Sequence, residues 1–360
     1  MKIVLATGIY PPEIGGPATY AQALAAALQK RGEDVTVITY GPKQAGNIIL
    51  VPRDGGPVFR WWRYAKALRA HAADADVIIA FSSVSVGVPL ALAGLKNPKK
   101  ILRLGGDFFW ERYTDRGGVK GLREWYGSTH YSLLTTHWFM RWLLRTFDHI
   151  VFSTRFQEET YEQHYKNLPP HSVIENALPN VPVLAPAHAL HHPFRLLFMG
   201  RFVGFKNLLT LVVALKNEYG RATLTLVGEG PVERSLRFLV EKLQLQSIVT
   251  FSPPAHGTEK QELFAEHDLL VLPSKTEISP NVALEARATG LPVLLTKETG
   301  LSSALSQGMI LRDLSTVQEI VAAIEEVEEE YDGYAASAAS PPPKRSWNDV
   351  AEEFLILSRT

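Results

Sequence analysis

The opening forty residues set a pattern that recurs along the chain. Apolar positions run unbroken from Ile3 to Ala6, a Gly- and Pro-rich loop follows, and Ala and Leu then recur at helical spacing from about Thr19 to Arg31. Gly32 stops that helix, and a second strand run, Asp34 to Thr39, begins at once. A buried strand, a helix and another buried strand in this order form a βαβ unit, which predicts a parallel, doubly wound sheet. Further buried-strand runs fall at Val77 to Phe81, Lys100 to Leu104 and His149 to Ser153, each after a segment able to form a helix.

From about Leu178 to Pro193 four prolines interrupt the pattern and suit an extended connector. The alternation then restarts. Strands are expected at Arg195 to Met199, Thr223 to Val227, Ile248 to Phe251, Leu269 to Leu272 and Val293 to Leu295, with helices at Asn207 to Asn217, Val232 to Leu243, Glu259 to Glu266 and Asn281 to Thr289. Residues 333–344 read as a stretched crossing segment, and an amphipathic helix from Trp347 to Leu357 is expected to pack back on the first domain. The fold class is therefore α/β, with two Rossmann-like doubly wound parallel-sheet domains facing across a cleft. The first takes residues 1–180 completed by 345–360, the second residues 190–340. A length of 360 residues agrees, because single cores stop growing near roughly 250–300.

Composition narrows the chemistry. With 46% apolar and 21% charged residues the chain has the balance of a globular protein. The absence of cysteine excludes disulfides, zinc-thiolate sites and thiol nucleophiles, and fits a reducing, cytoplasmic location. The apolar run after Met1 and Lys2 is too short for a signal-peptide core, and no window approaches the ~20 apolar residues that cross a bilayer. The net charge of +0 hides an asymmetry: residues 1–180 hold 21 Lys and Arg against 15 Asp and Glu, and the remainder 16 against 22. A basic first half suits phosphates or an anionic surface; ordinary scatter explains it as well.

Ligands of open α/β sheets bind at the carboxyl ends of the strands, so the loops there carry the candidate chemistry. Gly15 and Gly16 lie between the first strand and first helix, where backbone N–H groups can approach a phosphate or sugar oxygen, or where glycine merely permits the turn. Gly200 and Arg201 through Lys206 follow the first strand of the second domain. Two cations at that edge can neutralise a diphosphate leaving group, doing a metal ion's work, or stand as solvated surface charges. Gly228-Glu229-Gly230-Pro231 resembles the start of a dinucleotide fingerprint, but Glu233 occupies its third glycine position, which weakens a dehydrogenase reading. Finally, Glu277 and Glu285 straddle a loop and the first turn of a helix. One carboxylate can meet a sugar and the other both hydroxyls of a ribose, while the N–H groups of Asn281, Val282 and Ala283 face anionic oxygens.

On these motifs the chain resembles the retaining family-4 glycosyltransferases of the two-Rossmann (GT-B) type, most specifically over residues 196–300. Glu277 and Glu285 match that family's pair of glutamates with seven residues between them, Gly200, Arg201 and Lys206 its Gly-Arg…Lys signature, and Gly228 to Pro231 its Gly-x-Gly-Pro turn. The resemblance implies hexosyl transfer from a UDP- or GDP-type sugar with retention and without metal or other cofactor. It assigns the diphosphate to Arg201 and Lys206, the ribose to Glu285, the transferred sugar to Glu277 and the edge of the nucleobase to the segment ending at Pro254. In two places the chain departs from the family. Ile278 stands where glycine is frequent, and Leu104-Gly105-Gly106-Asp107 lacks the histidine many members carry near the reacting sugar. Asp107 is the candidate to contact donor sugar or acceptor hydroxyl there; a helix N-cap explains it too.

The Asp74-Ala75-Asp76 pair precedes a strand and so falls at the sheet edge away from the cleft, and the histidines have no metal-ligand spacing, so no metal site is expected. Aromatic and cationic residues mix at Arg60 to Tyr64 and Thr135 to Arg145. Core packing, a lipid-linked acceptor and peripheral contact with the inner membrane face all fit them. Stacking on nucleic acid would too, but no nucleic-acid motif supports it. The remaining alternatives are a sugar-nucleotide epimerase or hydrolase on the same scaffold, and a non-catalytic sugar-nucleotide-binding protein.

Overall fold

A computed structural model describes residues 1–13, 15–41, 48–128, 131–178, 190–216, 220–341 and 344–359, with the backbone alone at 131–134. The expected Pro-rich connector lies almost wholly outside the described residues. The chain divides into two compact units, Met1–Phe109 with Ser128–Ala177 and Arg345–Thr360, and Trp110–Gly127 with Leu178–Lys344. Residues 110–127 thus cluster with the second unit although they follow a strand of the first.

In chain order the elements up to residue 177 are β1 (Lys2–Ala6), α1 (Gly16–Lys30), β2 (Asp34–Tyr40), β3 (Ile48–Val51), α2 (Pro57–His71), β4 (Val77–Ala80), α3 (Gly87–Ala93), β5 (Lys99–Leu104), α4 (Phe108–Asp115), α5 (Leu122–Gly127), α6 (Tyr131–Leu144), β6 (His149–Phe152), α7 (Arg155–His164) and β7 (His171–Val173). Their strands form one parallel sheet, ordered β3-β2-β1-β4-β5-β6-β7. Ile3 to Ala6 and Val77 to Ala80 are buried at every position, as strands covered on both faces must be.

The second sheet contains β8 (Phe194–Met199), β9 (Ala222–Val227), β10 (Val249–Ser252), β11 (Leu269–Leu272), β12 (Val293–Thr296) and β13 (Ile310–Arg312), ordered β10-β9-β8-β11-β12-β13 and again parallel. Its helices are α8 (Leu208–Leu215), α9 (Glu233–Lys242), α10 (Gly257–Glu266), α11 (Asn281–Ala288), α12 (Val317–Glu329) and α13 (Tyr331–Ala339). In both sheets the strand order reverses beside the first strand, which defines a ligand-binding switch point between β1 and β4 and another between β8 and β11.

Helix α14 (Trp347–Arg359) packs along α1 in the first unit. Val350, Ala351, Phe354 and Leu355 enter that core, Trp347 meets Tyr20 edge-on at 4.8 Å, and Lys99 Nζ donates to the Leu357 carbonyl at 2.6 Å. The stretched crossing expected over 333–344 is corrected: residues 331–339 are helical. Alanine, the best helix former, occupies positions 335, 336, 338 and 339, and Tyr331, Ala335 and Ala338 are buried at helical spacing. The prolines that prompted the extended reading begin only at Pro341.

Candidate active site

The switch point of the second sheet gathers most of the predicted residues. β8 ends at Met199, and Gly200 to Val203 lead into a single 3-10 turn, Gly204–Lys206. β11 ends at Leu272, and the following loop carries Ser274, Thr276 and Glu277. Lys206 Nζ and Glu277 Oε1 are 2.5 Å apart, with side-chain exposures of 15% and 6%. Ser274 Oγ donates to the same carboxylate oxygen at 2.5 Å. The backbone of Glu277 is pinned as well, its N–H donating to the Glu298 carbonyl at 2.9 Å and its carbonyl accepting from Gly300 N at 2.8 Å. A charge pair this far from water must recover its desolvation through close geometry and additional hydrogen bonds, and this pair has both.

Arg201 lies at the same edge but is 61% exposed, and its guanidinium meets Asp115 Oδ1 at 2.9 Å. Glu285, on the second turn of α11, is ion-paired with Lys260 from the first turn of α10. Arg201, Lys206 and Lys260 thus each stand paired with a carboxylate. Helix α11 begins after Pro280 without a side-chain cap; the Ala283 N–H donates to the Pro280 carbonyl at 3.0 Å, while Val282 is half-buried beside it. Pro254 is exposed at the carboxyl end of β10, where the Arg237 guanidinium stacks 4.2 Å from the centre of the Phe251 ring.

The glycines of this edge hold one loop against the next. A Cβ on Gly228 would lie 2.0 Å from the Gly200 carbonyl oxygen, and one on Gly230 2.4 Å from that of Phe202. Phe202 N donates to the Glu229 carbonyl at 2.8 Å, and Val232 N to that of Phe202 at 3.1 Å. Gly200 and Gly228 therefore permit backbone to meet backbone, and that contact sets where Arg201 leaves the sheet.

Residues 110–127 complete the arrangement. The Trp110 ring packs 4.5 Å from Phe205, a Cβ on Gly204 would meet the Gly118 carbonyl oxygen at 2.6 Å, and Leu122 N donates to Thr276 Oγ1 at 2.9 Å. The segment therefore touches both loops that carry the Lys206–Glu277 pair. Ser274, Lys260 and Asp115 were not foreseen. Ser274 could have been found from its place between a strand end and Glu277; Lys260 and Asp115 have no local signal and reach their partners only through the fold.

The remaining predicted residues lie in the first unit. Gly15 caps α1 without a side-chain hydrogen bond, Gly16 opens the helix and Pro17 occupies its first turn. The β1–α1 loop is tied down by Arg53, which pairs with Glu13 and donates to the Gly8 carbonyl at 2.9 Å. Asp107 is fully buried ahead of α4, accepting from Phe109 N at 3.1 Å through Oδ1 and from the Tyr161 hydroxyl at 2.7 Å through Oδ2, the geometry of a cap. Asp74 and Asp76 bind the side chain and backbone N–H of Lys2, at the amino ends of β1 and β4 and so on the edge opposite the switch point.

Two doubly wound parallel sheets make this a two-Rossmann protein, and the family models that match it make it a glycosyltransferase. The chain belongs to that family: the model described as "Glycosyl transferases group 1" matches residues 186–339, and that described as "Glycosyl transferase 4-like domain" residues 15–177. It is 27% identical over 348 residues to the putative teichuronic acid biosynthesis glycosyltransferase TuaC of Bacillus subtilis, covering 84% of this chain and 82% of that protein. It is 38% identical over 122 residues to the D-inositol 3-phosphate glycosyltransferase of Pseudarthrobacter chlorophenolicus, a stretch spanning 32% of this chain and only 29% of that relative. Among solved structures, sucrose-phosphate synthase from Thermosynechococcus elongatus superposes with a TM-score of 0.80 at 18% identity over 100% of this chain and 98% of its own. Anabaena HepE in complex with UDP and glucose does so with a TM-score of 0.76 at 16% identity over the whole of both chains. Among the described residues no helix is long and apolar enough to cross a membrane.

Proposed function

We propose that this glycosyltransferase moves a hexosyl group from a nucleoside-diphosphate sugar, with retention and without a metal ion, using the β8 and β11 loops as its donor site. The observation that carries the proposal is the Lys206–Glu277 pair at the switch point between those strands. In this reading Lys206 and Arg201 take the diphosphate and stabilise the charge it gains as the glycosidic bond breaks. Glu277, released from Lys206, accepts hydrogen bonds from the sugar hydroxyls, and Glu285, released from Lys260, accepts them from the ribose. Oriented cations at a leaving group supply the electrostatic stabilisation otherwise provided by a metal. The UDP and glucose named for the HepE complex favour a UDP-sugar as the first donor to try.

The test is a thermal-shift series with UDP-, GDP- and ADP-sugars in EDTA and again with magnesium, since a ligand that binds only the native state raises its melting temperature. A shift confined to one nucleotide, equal in EDTA and magnesium and lost in Arg201→Ala, is expected. A shift that requires magnesium would remove the metal-free reading, and one that survives Arg201→Ala and Lys206→Ala together would remove the diphosphate assignment. Retention is read from the anomeric proton coupling of the product.

A further inference from the structure

Among the described residues, six of the ten large hydrophobic side chains exposed to solvent belong to three helices of the first unit. They are Val58, Phe59 and Trp62 on α2, Leu92 on α3, and Trp138 and Trp142 on α6, with exposures from 46% to 73%. The three helices lie side by side. α2 packs along α3 and α3 along α6. The Arg69 guanidinium of α2 donates to the Ala93 carbonyl at the end of α3 at 3.0 Å, and a Cβ on Gly87 of α3 would sit 3.5 Å from Leu143 of α6.

The charge on this face is one-sided. α2, α3 and α6 contain no aspartate or glutamate at any position, in a chain that carries 37. They hold Arg60, Arg63, Lys66, Arg69 and Arg141, and exposed Arg145 follows α6 directly. On α2 the exposed stripe runs Phe59, Trp62, Lys66, Arg69; on α6 and the residue after it, Thr135, Trp138, Trp142, Arg145, the same helical spacing with aromatics ahead of a terminal cation. Asp54 borders the head of α2 and is paired with Arg63 at 3.0 Å. A core-facing explanation fails for these positions: α2 buries Tyr64, Ala65 and Leu68, and α6 buries Met140, Leu143 and Leu144, so the exposed aromatics lie off the packed faces.

We infer that the α2–α3–α6 face is a docking surface for the anionic surface of a lipid bilayer. Indole rings favour the boundary between headgroups and acyl chains, and clustered Arg and Lys are drawn to anionic lipid. Together they hold an amphipathic surface in the plane of the membrane without crossing it. A nucleic acid would satisfy the cations but leave Val58, Phe59 and Leu92 unexplained, whereas acyl chains account for both. The inference rests on these helices alone and is independent of the donor-site reading.

The experiment is co-sedimentation of the full chain with phosphatidylcholine vesicles, with and without phosphatidylglycerol, and the same vesicles carrying brominated acyl chains to quench tryptophan fluorescence. The expected result is binding that requires phosphatidylglycerol, weakens with salt and brings quenching. Trp62→Ser and Trp138→Ser should each lower the partition coefficient about tenfold or more and remove part of the quenching. Arg60→Gln and Lys66→Gln should each lower it about fivefold, the equivalent of ~1 kcal/mol per cation near the surface. Because all four side chains are partly or largely exposed, melting temperatures should stay within a degree or two, and quenching of the unaltered chain needs no variant. No binding, equal binding to neutral vesicles, or binding unmoved by both tryptophan changes would overturn the inference. So would a self-associated species in sedimentation velocity that Trp138→Ser dissolves in the absence of vesicle binding, since the face would then belong to a second copy.

Discussion

The two sheets share a topology and differ at the same place in it. After β1 the chain makes a loop that Arg53, from beyond β3, pins through Glu13 and the Gly8 carbonyl, and Gly15 caps the helix that follows. After β8 the corresponding loop holds Arg201 and Lys206, and Lys206 reaches across the strand reversal to Glu277, 71 residues further on. The glycines differ in the same sense. A Cβ on Gly15 would press on the Cδ1 of Ile9 at 2.7 Å, the movable end of a side chain, whereas one on Gly228 would strike the Gly200 carbonyl oxygen at 2.0 Å. One scaffold therefore carries a loop pinned by an ion pair to a neighbouring loop and another closed by backbone contacts beside a nearly buried ion pair. Function follows from the side chains at the strand ends, and the sheet fixes only where those ends are.

The largest effect that would sharpen this contrast is expected at Lys206. Lys206→Met should lower kcat/KM by a hundredfold or more, ~3 kcal/mol, the scale of losing one oriented electrostatic group. The same change leaves the Glu277 carboxylate nearly buried with Ser274 as its remaining side-chain donor, so it should also lower the melting temperature. Lys206→Met with Glu277→Gln should recover stability but not rate, because the carboxylate charge is then gone while the diphosphate still lacks its cation. If the double variant recovered both, the pair would be a structural ion pair and the contrast with the first loop would collapse.

A second comparison tests the glycines. Gly228 has φ near +141°, where a side chain is strained whatever the space, and its Cβ would meet backbone that cannot swing aside. Gly228→Ala should destabilise the protein by about 2–3 kcal/mol, in the range of a buried steric or backbone defect. Gly15 has φ near +159°, so Gly15→Ala meets backbone strain too, but its Cβ presses only on the movable end of Ile9 and the loss should be smaller, about 1–2 kcal/mol. Denaturant melts of the two variants at constant m-value decide it; equal losses would mean that the backbone contact between Gly200 and Gly228 has no special rigidity.

How much of this was legible follows the same division. Strands buried at every position or all but one, such as β1, β4, β8 and β11, were readable to within a residue or two, because parallel strands covered on both faces leave a nearly unbroken apolar run. β3, β7 and β13 were not read. They are three or four residues long, and β7 is His-Ser-Val, with too few apolar positions to show a period. α12 was passed over although Thr316 and Glu319 form a capping box ahead of Ile320, Ile324 and Val327. That Arg201, Lys206 and Glu277 would stand at the carboxyl ends of β8 and β11, with Glu285 on the helix that follows, was legible from type and place. Asp115, Lys260 and the whole 110–127 segment were not, because their contacts are made between loops far apart in the chain and depend on backbone approaches that no local pattern encodes. The exposed tryptophans were ambiguous for a related reason: a helical stripe of aromatics reads alike whether it faces a core or the outside.

The smallest effect concerns Asp107, the group in the first unit closest in kind to the carboxylates of the second. Glu277 and Glu285 each pair with a lysine; Asp107 accepts from an amide N–H and a tyrosine hydroxyl, has no exposed surface of its own and lies near enough to His137 to favour that ring's charged form. Asp107→Asn keeps one acceptor for the Phe109 N–H and replaces a charged acceptor for Tyr161 by a neutral group. The expected loss is about 1 kcal/mol of stability, the scale of a helix cap or one charge-assisted hydrogen bond, with kcat/KM held within about threefold. Asp107→Ala should lose more, about 2 kcal/mol, because the Tyr161 hydroxyl is then buried without its acceptor. A kcat that falls a hundredfold in Asp107→Asn at unchanged melting temperature would give the opposite answer: the carboxylate meets a reacting hydroxyl after the Tyr161 bond opens, and the first unit carries an exchangeable charge of its own.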